Sequence, residues 1–474
     1  MSTLLLHASL AKGTGEVTMM QKWVNRLAEK PDVDRIVILS GSAFLLGGKI
    51  PLHPKVEVRE LPRHRFDYAR QVHVSADGVP IEDAYPLNAS ERAALEAWRI
   101  QGKNAVEAFY DEIKPDAVGT IYWPCANGGI VDHETLPLLA CARKDGIPTF
   151  ATTRDILLAD TPPALGNFWS AASVITDVLD RLYVHADPRV VALEDSFRSD
   201  PVVQPGSFTP HQASVLWDAV WEQLHSKLTY TGYMAPNGTV KPVDSDYHDN
   251  VIVATGMDWH PSNDTLVRAV MQAIPHTGDA LKAKTWRLLA NHSRIETMPA
   301  EEGGDAARAT LAWMQDQAEQ LRQKGIRVEV QDAIRELHNT MAVCGLSVQH
   351  AGGAQLLEAL GLGIPFLPFP LGMDGPHYEQ KTRLDLLEQQ GLCVSGQRRW
   401  LEDARDGNLS ATQFLADRMS EAHQRGRSEC WLDMNGAQTT ADAVHGLLAR
   451  AKARVTGSAS LAEIPASLSH QMAA

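Results

Sequence analysis

The sequence predicts an α/β protein built from two Rossmann-like halves, each a parallel sheet covered by helices. Three observations predict it. Short β-branched runs alternate with helical stretches through the first half, a polar Pro- and Gly-containing stretch follows, and the same alternation then restarts. Strands that alternate with helices pair in parallel, because the crossover helix returns each strand in the same direction. At 474 residues the chain also exceeds the roughly 250–300 residues that one hydrophobic core supports.

In the first half the strand candidates are Thr3–His7, Arg35–Leu39, Val56–Leu61, Asp116–Trp123, Pro148–Thr152, Arg181–His185 and Leu228–Tyr233. Helical periodicity separates them, most clearly over Val17–Ala28 and Ser90–Ile113. The stretch "MAPNGTVKPVDSDYHDN" has the turn residues and the low apolar content of a linker. After it, "VIVATG", "WRLLAN", "IRVEV", "GLSVQ", "IPFLPF" and "LCVSG" read as strands. Leu311, Met314, Ala318 and Leu321 share one helical face, and Gly325 is placed to stop that helix. The expected organisation is an N-terminal domain over 1–233, a linker over 234–250, a second domain over 251–455 and a loose Ala/Ser-rich tail over 456–474. A ligand is expected in the cleft between the halves.

Composition narrows the function. The net charge of −14 argues against nucleic acid as the main partner, since phosphate backbones are held by clustered Lys and Arg. The 5 cysteines are scattered and never form a CxxC pair, which fits reduced thiols rather than a disulfide framework or a zinc site. The start of the chain has no basic leader, and no run of about 18 apolar residues occurs. A cytoplasmic protein without stable membrane insertion is expected, as a monomer or homodimer.

The most informative segment is "LSVQHAGGAQLLEALGLGIPFLPFPLGMDGPHYEQKTRLDLLEQQG". A strand ends at His350. Gly352, Gly353, Ala354 and Gln355 then open a helix. The glycines remove side chains where a ligand would meet the backbone, and the free N–H groups of the helix start make an anion site. Glu358, inside that helix, is a carboxylate able to accept two hydroxyls of a ribose diol. The loop after "IPFLPFP" ends in Glu379 and Gln380, a pairing suited to sugar hydroxyls. Taken singly, the glycines could serve a tight turn, His350 could be a core histidine and Glu358 a solvated helix residue.

In this order the features resemble the donor-binding core of GT-B glycosyltransferases, in the branch of the peptidoglycan N-acetylglucosaminyltransferase and the UDP-glycosyltransferases. By that resemblance His350, Gly352 and Gly353 surround the donor diphosphate, Glu358 holds the ribose, and Glu379 with Gln380 hold the donor sugar. Gln349 stands where the family usually has Ser, and Arg383 where Asn is common. "PTFATTRDIL", "RLYVHADPRV", "LTYTGYM" and "LDMNGAQTTADAVHGLL" extend the resemblance over most of residues 3–450, closest to a poorly characterised bacterial branch. Gly256, in "VATGMDW", is expected across the cleft from the diphosphate. Arg287 is a candidate cation for it, or an ordinary surface arginine.

The resemblance implies no cofactor beyond the nucleotide sugar, a UDP-sugar being favoured, and a small-molecule or glycan acceptor. No metal is expected. The DxD at Asp244–Asp246 lies in the linker rather than after a nucleotide-binding strand, and no His/Cys/Asp cluster has ligand spacing. Retaining GT-B enzymes often carry a second glutamate eight residues on, where this chain has Phe366, so inversion is favoured. An inverting reaction needs a general base on the N-terminal side. The family places a histidine in the first β–α loop. Here Gly13, Thr14, Gly15 and Glu16 occupy that loop, which makes Glu16 the candidate base or a carboxylate that only favours the helix N-terminus. Asp155 is a second candidate, with Arg154 beside it on the acceptor side. His185 and Asp187 in "HADP" are a third, with a turn the more economical reading. Acceptor loops are expected around Arg63–Asn88 and Cys125–Glu134. A nucleotide-sugar 2-epimerase or hydrolase of the same fold, and a non-catalytic nucleotide-sugar-binding protein, are the competing readings.

Overall fold

The computed structural model describes residues 2–8, 15–48, 50–67, 72–81, 86–121, 131–154, 177–192, 221–234, 249–255, 261–290, 292–298, 300, 304–332, 337–370 and 378–455. Asp155, Gly13, Gly256, Asp244–Asp246 and the tail after 455 lie outside the described residues.

Two sheets organise the chain. The first contains β1 (Ser2–His7), β2 (Val33–Ser42), β3 (Val56–Asp67), β4 (Val72–Ser75), β5 (Ala117–Thr120), β6 (Thr149–Arg154), β7 (Arg181–His185) and β8 (Leu228–Tyr230). They lie in the order β4-β3-β2-β1-β5-β6-β7-β8. All pairs are parallel except β3–β4. The second sheet contains β9 (Asn250–Ala254), β10 (Thr285–Leu289), β11 (Val328–Gln331), β12 (Leu346–His350) and β13 (Phe366–Phe369), in the order β11-β10-β9-β12-β13 and parallel throughout. Strands covered on both faces read as unbroken apolar runs. That is why Leu4, Leu5 and Leu6, and again Val251, Ile252 and Val253, are fully buried in succession.

The helices that matter for the site are α1 (Gly15–Ala28), α2 (Ala89–Ile113), α3 (Leu136–Lys144), α4 (Pro261–Ala273), α5 (Gly304–Gln323), α6 (Gly353–Leu362), α7 (Tyr378–Gln389), α8 (Arg398–Arg405), α9 (Leu409–Gln424) and α10 (Gly436–Val455). Helix α2 opens on a capping box, with the Asn88 side chain accepting from Glu91 N and the Glu91 carboxylate from Asn88 N. Helix α5 buries Leu311, Met314, Ala318 and Leu321 as its periodicity predicts, and Gly325 follows it at φ +80°.

Three features depart from the sequence reading. The antiparallel strand β4 turns β3 into a hairpin that was not anticipated. "LCVSG" is not a strand, although Leu392, Cys393 and Val394 are buried. The reason lies in β13. Pro365 O and Phe369 O face β12, so Pro368 faces the outer edge. Proline has no N–H to offer a sixth strand there. Its carbonyl still accepts from Gly396 N at 2.8 Å, and the ladder stops at that bond. Third, α10 returns to the first half. Its Ala437, Ala441, Val444 and Leu448 share an apolar core with Met20, Trp23, Val24 and Leu27 of α1.

The described start of the first crossing between the sheets pairs with the end of the return crossing. Met234, just after β8, bridges Asn435, just before α10. Tyr233 N donates to Asp433 O (2.7 Å) and Gly436 N to Tyr233 O (3.0 Å). Gly232 (φ +82°) and Gly436 permit this approach. A Cβ on Gly232 would lie 2.6 Å from the Asp433 carboxyl carbon, and one on Gly436 would lie 2.3 Å from Gly232 O.

Candidate functional site

In an open parallel sheet the ligand site lies beyond the carboxyl ends of the strands, where the strand order reverses. In the second sheet that point falls between β9 and β12. The residues there are Thr255, whose hydroxyl is turned back onto Leu289 O (3.1 Å), and the turn from His350 to Gly353. His350 is buried as the last residue of β12. Ala351 N is held by Phe369 O at 2.7 Å, and Gly352 is the N-cap of α6 with no side-chain cap bond. Among the described residues no side chain caps the first N–H groups of α6.

Why glycine stands at 352 and 353 can be decided from geometry. Gly352 has φ −61° and ψ 133°, a conformation open to any residue. Gly353 is not among the positive-φ glycines. Among the described residues, a Cβ at either position would meet nothing within 4 Å beyond its chain neighbours and its own helix. Neither backbone strain nor packing demands glycine here. What the two glycines preserve is open space above an uncapped helix start, which is what an approaching anion needs.

Gln349, the departure from the family's serine, is fully buried. Its carboxamide oxygen accepts from Ser347 Oγ (3.1 Å), and its Nε2 donates to Gln355 O (3.3 Å), so it pins β12 to the first turns of α6. Glu358 is five residues beyond Gly353, about 7.5 Å along the axis. Its side chain is 19% exposed, and Oε1 lies 3.6 Å from Lys22 Nζ of α1. Gln380 is buried on α7, and Arg383, the second departure, is 1% exposed on the same helix. Glu379 is the second residue of α7, and Ala354 is the second residue of α6. Arg287 sits in mid-strand on β10, with its Nε 3.6 Å from Glu329 Oε2 on β11.

On the first sheet the order reverses between β1 and β5. Gly15 is the first residue of α1 and Glu16 lies in its first turn; α1 is the helix that follows β1 in the chain. A cleft lined by Met19, Met20 and Trp23 of α1, Ile121 after β5, Thr152, Thr153 and Arg154 of β6 and His185 of β7 opens at the same strand ends. Arg154, named above on the acceptor side, lines this cleft. His185 Nδ1 faces Thr231 Oγ1 at 3.0 Å. Asp187 forms a turn: its carboxylate accepts from Arg189, from Arg189 N (3.0 Å) and from Asp433 N (3.1 Å). Arg189 lies over the Trp431 ring at 4.9 Å. "HADP" therefore fastens the return crossing.

A buried polar cluster stands behind this mouth. His7 Nε2 meets Glu134 Oε2 at 2.9 Å, and His7 Nδ1 meets Thr135 Oγ1 at 3.0 Å. Glu134 and Thr135 come from a π-helical turn, Val131–Thr135, ahead of α3, an irregularity common at functional sites. Glu134 is fully buried, and Gly102 of α2 makes room for it, since a Cβ there would lie 2.9 Å from Glu134 Oε1. Burial holds the nearby His64 imidazole down to about 4, against the upward pull of the Glu134 carboxylate. His7 and Glu134 carried no sequence signal beyond a strand end and a polar loop. Lys22 likewise reads as an ordinary lysine flanking an apolar stripe. Among the described residues no group of three or more His, Cys, Asp and Glu is arranged to hold a metal ion.

No protein-family model and no curated protein matches the sequence. Solved structures do match the fold. UGT2 of Phytolacca americana, complexed with UDP-2fluoro-glucose and pterostilbene, superposes with a TM-score of 0.50 at 12% identity, over 94% of this chain and 100% of that one. The calicheamicin glycosyltransferase CalG4 gives 0.50 at 15% identity, over 95% and 98%. A UDP-glucosyltransferase from Polygonum tinctorium gives 0.50 at 11%, over 95% and 99%. The chain has the GT-B fold. The match runs over 94–95% of this chain. Among the described residues no helix is long and apolar enough to cross a membrane.

Proposed function

We propose that this protein is an inverting glycosyltransferase that moves a sugar from a nucleoside-diphosphate donor, a UDP-sugar foremost, to a small-molecule or glycan acceptor. One observation carries the reading. Gly352 and Gly353 keep open space over the uncapped start of α6, at the switch point of the second sheet, with Glu358 on the same helix. Phytolacca UGT2, which shares the fold, was solved with UDP-2fluoro-glucose and pterostilbene. That supports a UDP-sugar as the donor class.

In the reaction an acceptor hydroxyl oxygen forms a bond to the anomeric carbon from the face opposite the nucleotide. The bond from that carbon to the diphosphate oxygen breaks, and the diphosphate leaves with the electron pair. The N–H groups at the start of α6 stabilise the charge that develops there. A helix terminus contributes about 0.3–1 kcal/mol, and about 2 kcal/mol when partly buried, and it favours the transition state most because the charge is still growing. Glu358 accepts the ribose hydroxyls, and Glu379 with Gln380 orient the sugar. The acceptor proton goes to Glu16, in the first turn of α1, the helix that follows β1 in the chain. His7 is a poorer candidate, because both ring nitrogens are already engaged and the residue is buried.

The test is a panel of nucleotide sugars incubated with and without candidate acceptors and followed by mass spectrometry. Donor-dependent mass gain on an acceptor is expected. Isomerised or hydrolysed donor without acceptor would instead mark an epimerase or hydrolase, and binding without turnover a non-catalytic protein. Glu16→Gln is expected to lower turnover with donor affinity kept, and unchanged turnover would remove Glu16 as the base.

A further inference from the structure

Lys22 of α1 is held from both halves of the molecule. It is 3% exposed. Lysine is rarely buried unless its charge is matched. Here the ammonium lies 3.3 Å from Met234 O and 3.6 Å from Glu358 Oε1. Those two partners differ in kind. Met234 is the residue at which the chain leaves the first sheet, and it is tied to Asn435 of the return crossing. Glu358 belongs to the second half and is the carboxylate assigned above to the ribose.

We propose that Lys22 is a positioning residue of the donor site, which orients the Glu358 carboxylate for the ribose diol and couples nucleotide binding to the seating of the two halves. The inference rests on the donor-site reading above. With Oε1 turned toward the ammonium, the carboxylate still has lone pairs for two hydroxyls, since an ionised carboxylate offers about four acceptor sites. Met234 O anchors the lysine at the crossing. Rotation of the second half about that crossing therefore changes the Lys22–Glu358 separation while the Lys22–Met234 contact holds. Separation would leave a buried ammonium without its counter-charge, which is costly. Burial already lowers the affinity of Lys22 for its proton, and Glu358 opposes that effect. The arrangement in the structure is thus the one in which lysine and glutamate satisfy each other.

The test is a double-mutant cycle on the full chain, with UDP, dTDP and GDP titrated in turn by calorimetry. Lys22→Met keeps the length of the side chain and removes the charge. For whichever nucleotide the wild type binds, Lys22→Met is expected to bind at least about tenfold more weakly, and Lys22→Arg to recover to within about threefold. In a Glu358→Gln background, adding Lys22→Met is expected to change affinity by less than about twofold, because the partner through which it acts is gone. If Lys22→Met does not fold, Lys22→Gln, which keeps an N–H donor for Met234 O, is put through the same cycle. Equal losses in both backgrounds, or wild-type affinity in Lys22→Met, would overturn the positioning role and leave the donor site standing. A wild-type protein that binds none of the three nucleotides would overturn the donor-site reading and this inference with it.

Discussion

Replacing Gly353 by alanine separates stability from binding more cleanly than any other change at the site. Among the described residues the added Cβ meets nothing within 4 Å beyond its chain neighbours and its own helix, and the backbone is not in the left-handed region. Alanine in a helix is favoured over glycine by roughly 0.5–1 kcal/mol. Folding should therefore be unharmed or slightly improved, by about 1–4 °C in Tm if the second half melts as a unit of ordinary size. Binding should respond in the opposite direction. A phosphate oxygen bonded to the helix start sits about 2.7–3.2 Å from the amide nitrogen. A methyl group beside it forces retreat by a few tenths of an ångström and weakens one or two bonds to a charged acceptor, each worth about 1.5–3 kcal/mol. The expected outcome is about a 10- to 100-fold loss of nucleotide affinity with Tm kept or raised. Thermal melts and calorimetric titration with UDP measure the two halves of the claim. A folded Gly353→Ala protein that binds UDP like the wild type would refute the idea that the glycines keep room for a ligand. A Tm lowered by several degrees would refute the claim that packing and backbone leave the position free.

The same substitution should act with opposite sign elsewhere. Gly102→Ala lies inside a helix, yet its Cβ would stand 2.9 Å from Glu134 Oε1 and 3.1 Å from Glu134 Cγ, so it should lower stability by about 1–3 kcal/mol in urea unfolding; a neutral or stabilising result would mean that Glu134 is not confined. His64 predicts a pH dependence. Its folded value of about 4 lies below the ordinary 6.5, so the unfolded chain binds the extra proton first. Stability from this group is complete above about pH 6.5 and is lost as pH falls toward 4, by up to about 3 kcal/mol. Urea midpoints across that window should flatten in His64→Leu, and an equal slope in both proteins would sink the assignment.

The sequence by itself determined the elements whose signal is local. Apolar runs such as Leu4–Leu6 and Val251–Val253 mark strands covered on both faces, and the order His350, Gly352, Gly353, Glu358 marks a strand, a turn and a helix start wherever the chain folds. Those features depend on neighbours a few residues away. The same locality misled at "LCVSG", where burial imitates a strand and a proline on the neighbouring edge, 25 residues or so upstream, prevents pairing. Only the tertiary structure decided what joins distant parts. It brought α10 back onto α1, folded β4 against β3, set Glu134 under Gly102, and placed Lys22 between Met234 and Glu358. Apart from the β3–β4 hairpin, these contacts unite residues separated by tens to hundreds of positions. A lone buried lysine or glutamate looks in sequence like any solvated charge. Its partner, and hence its meaning, exists only once the two sheets have met.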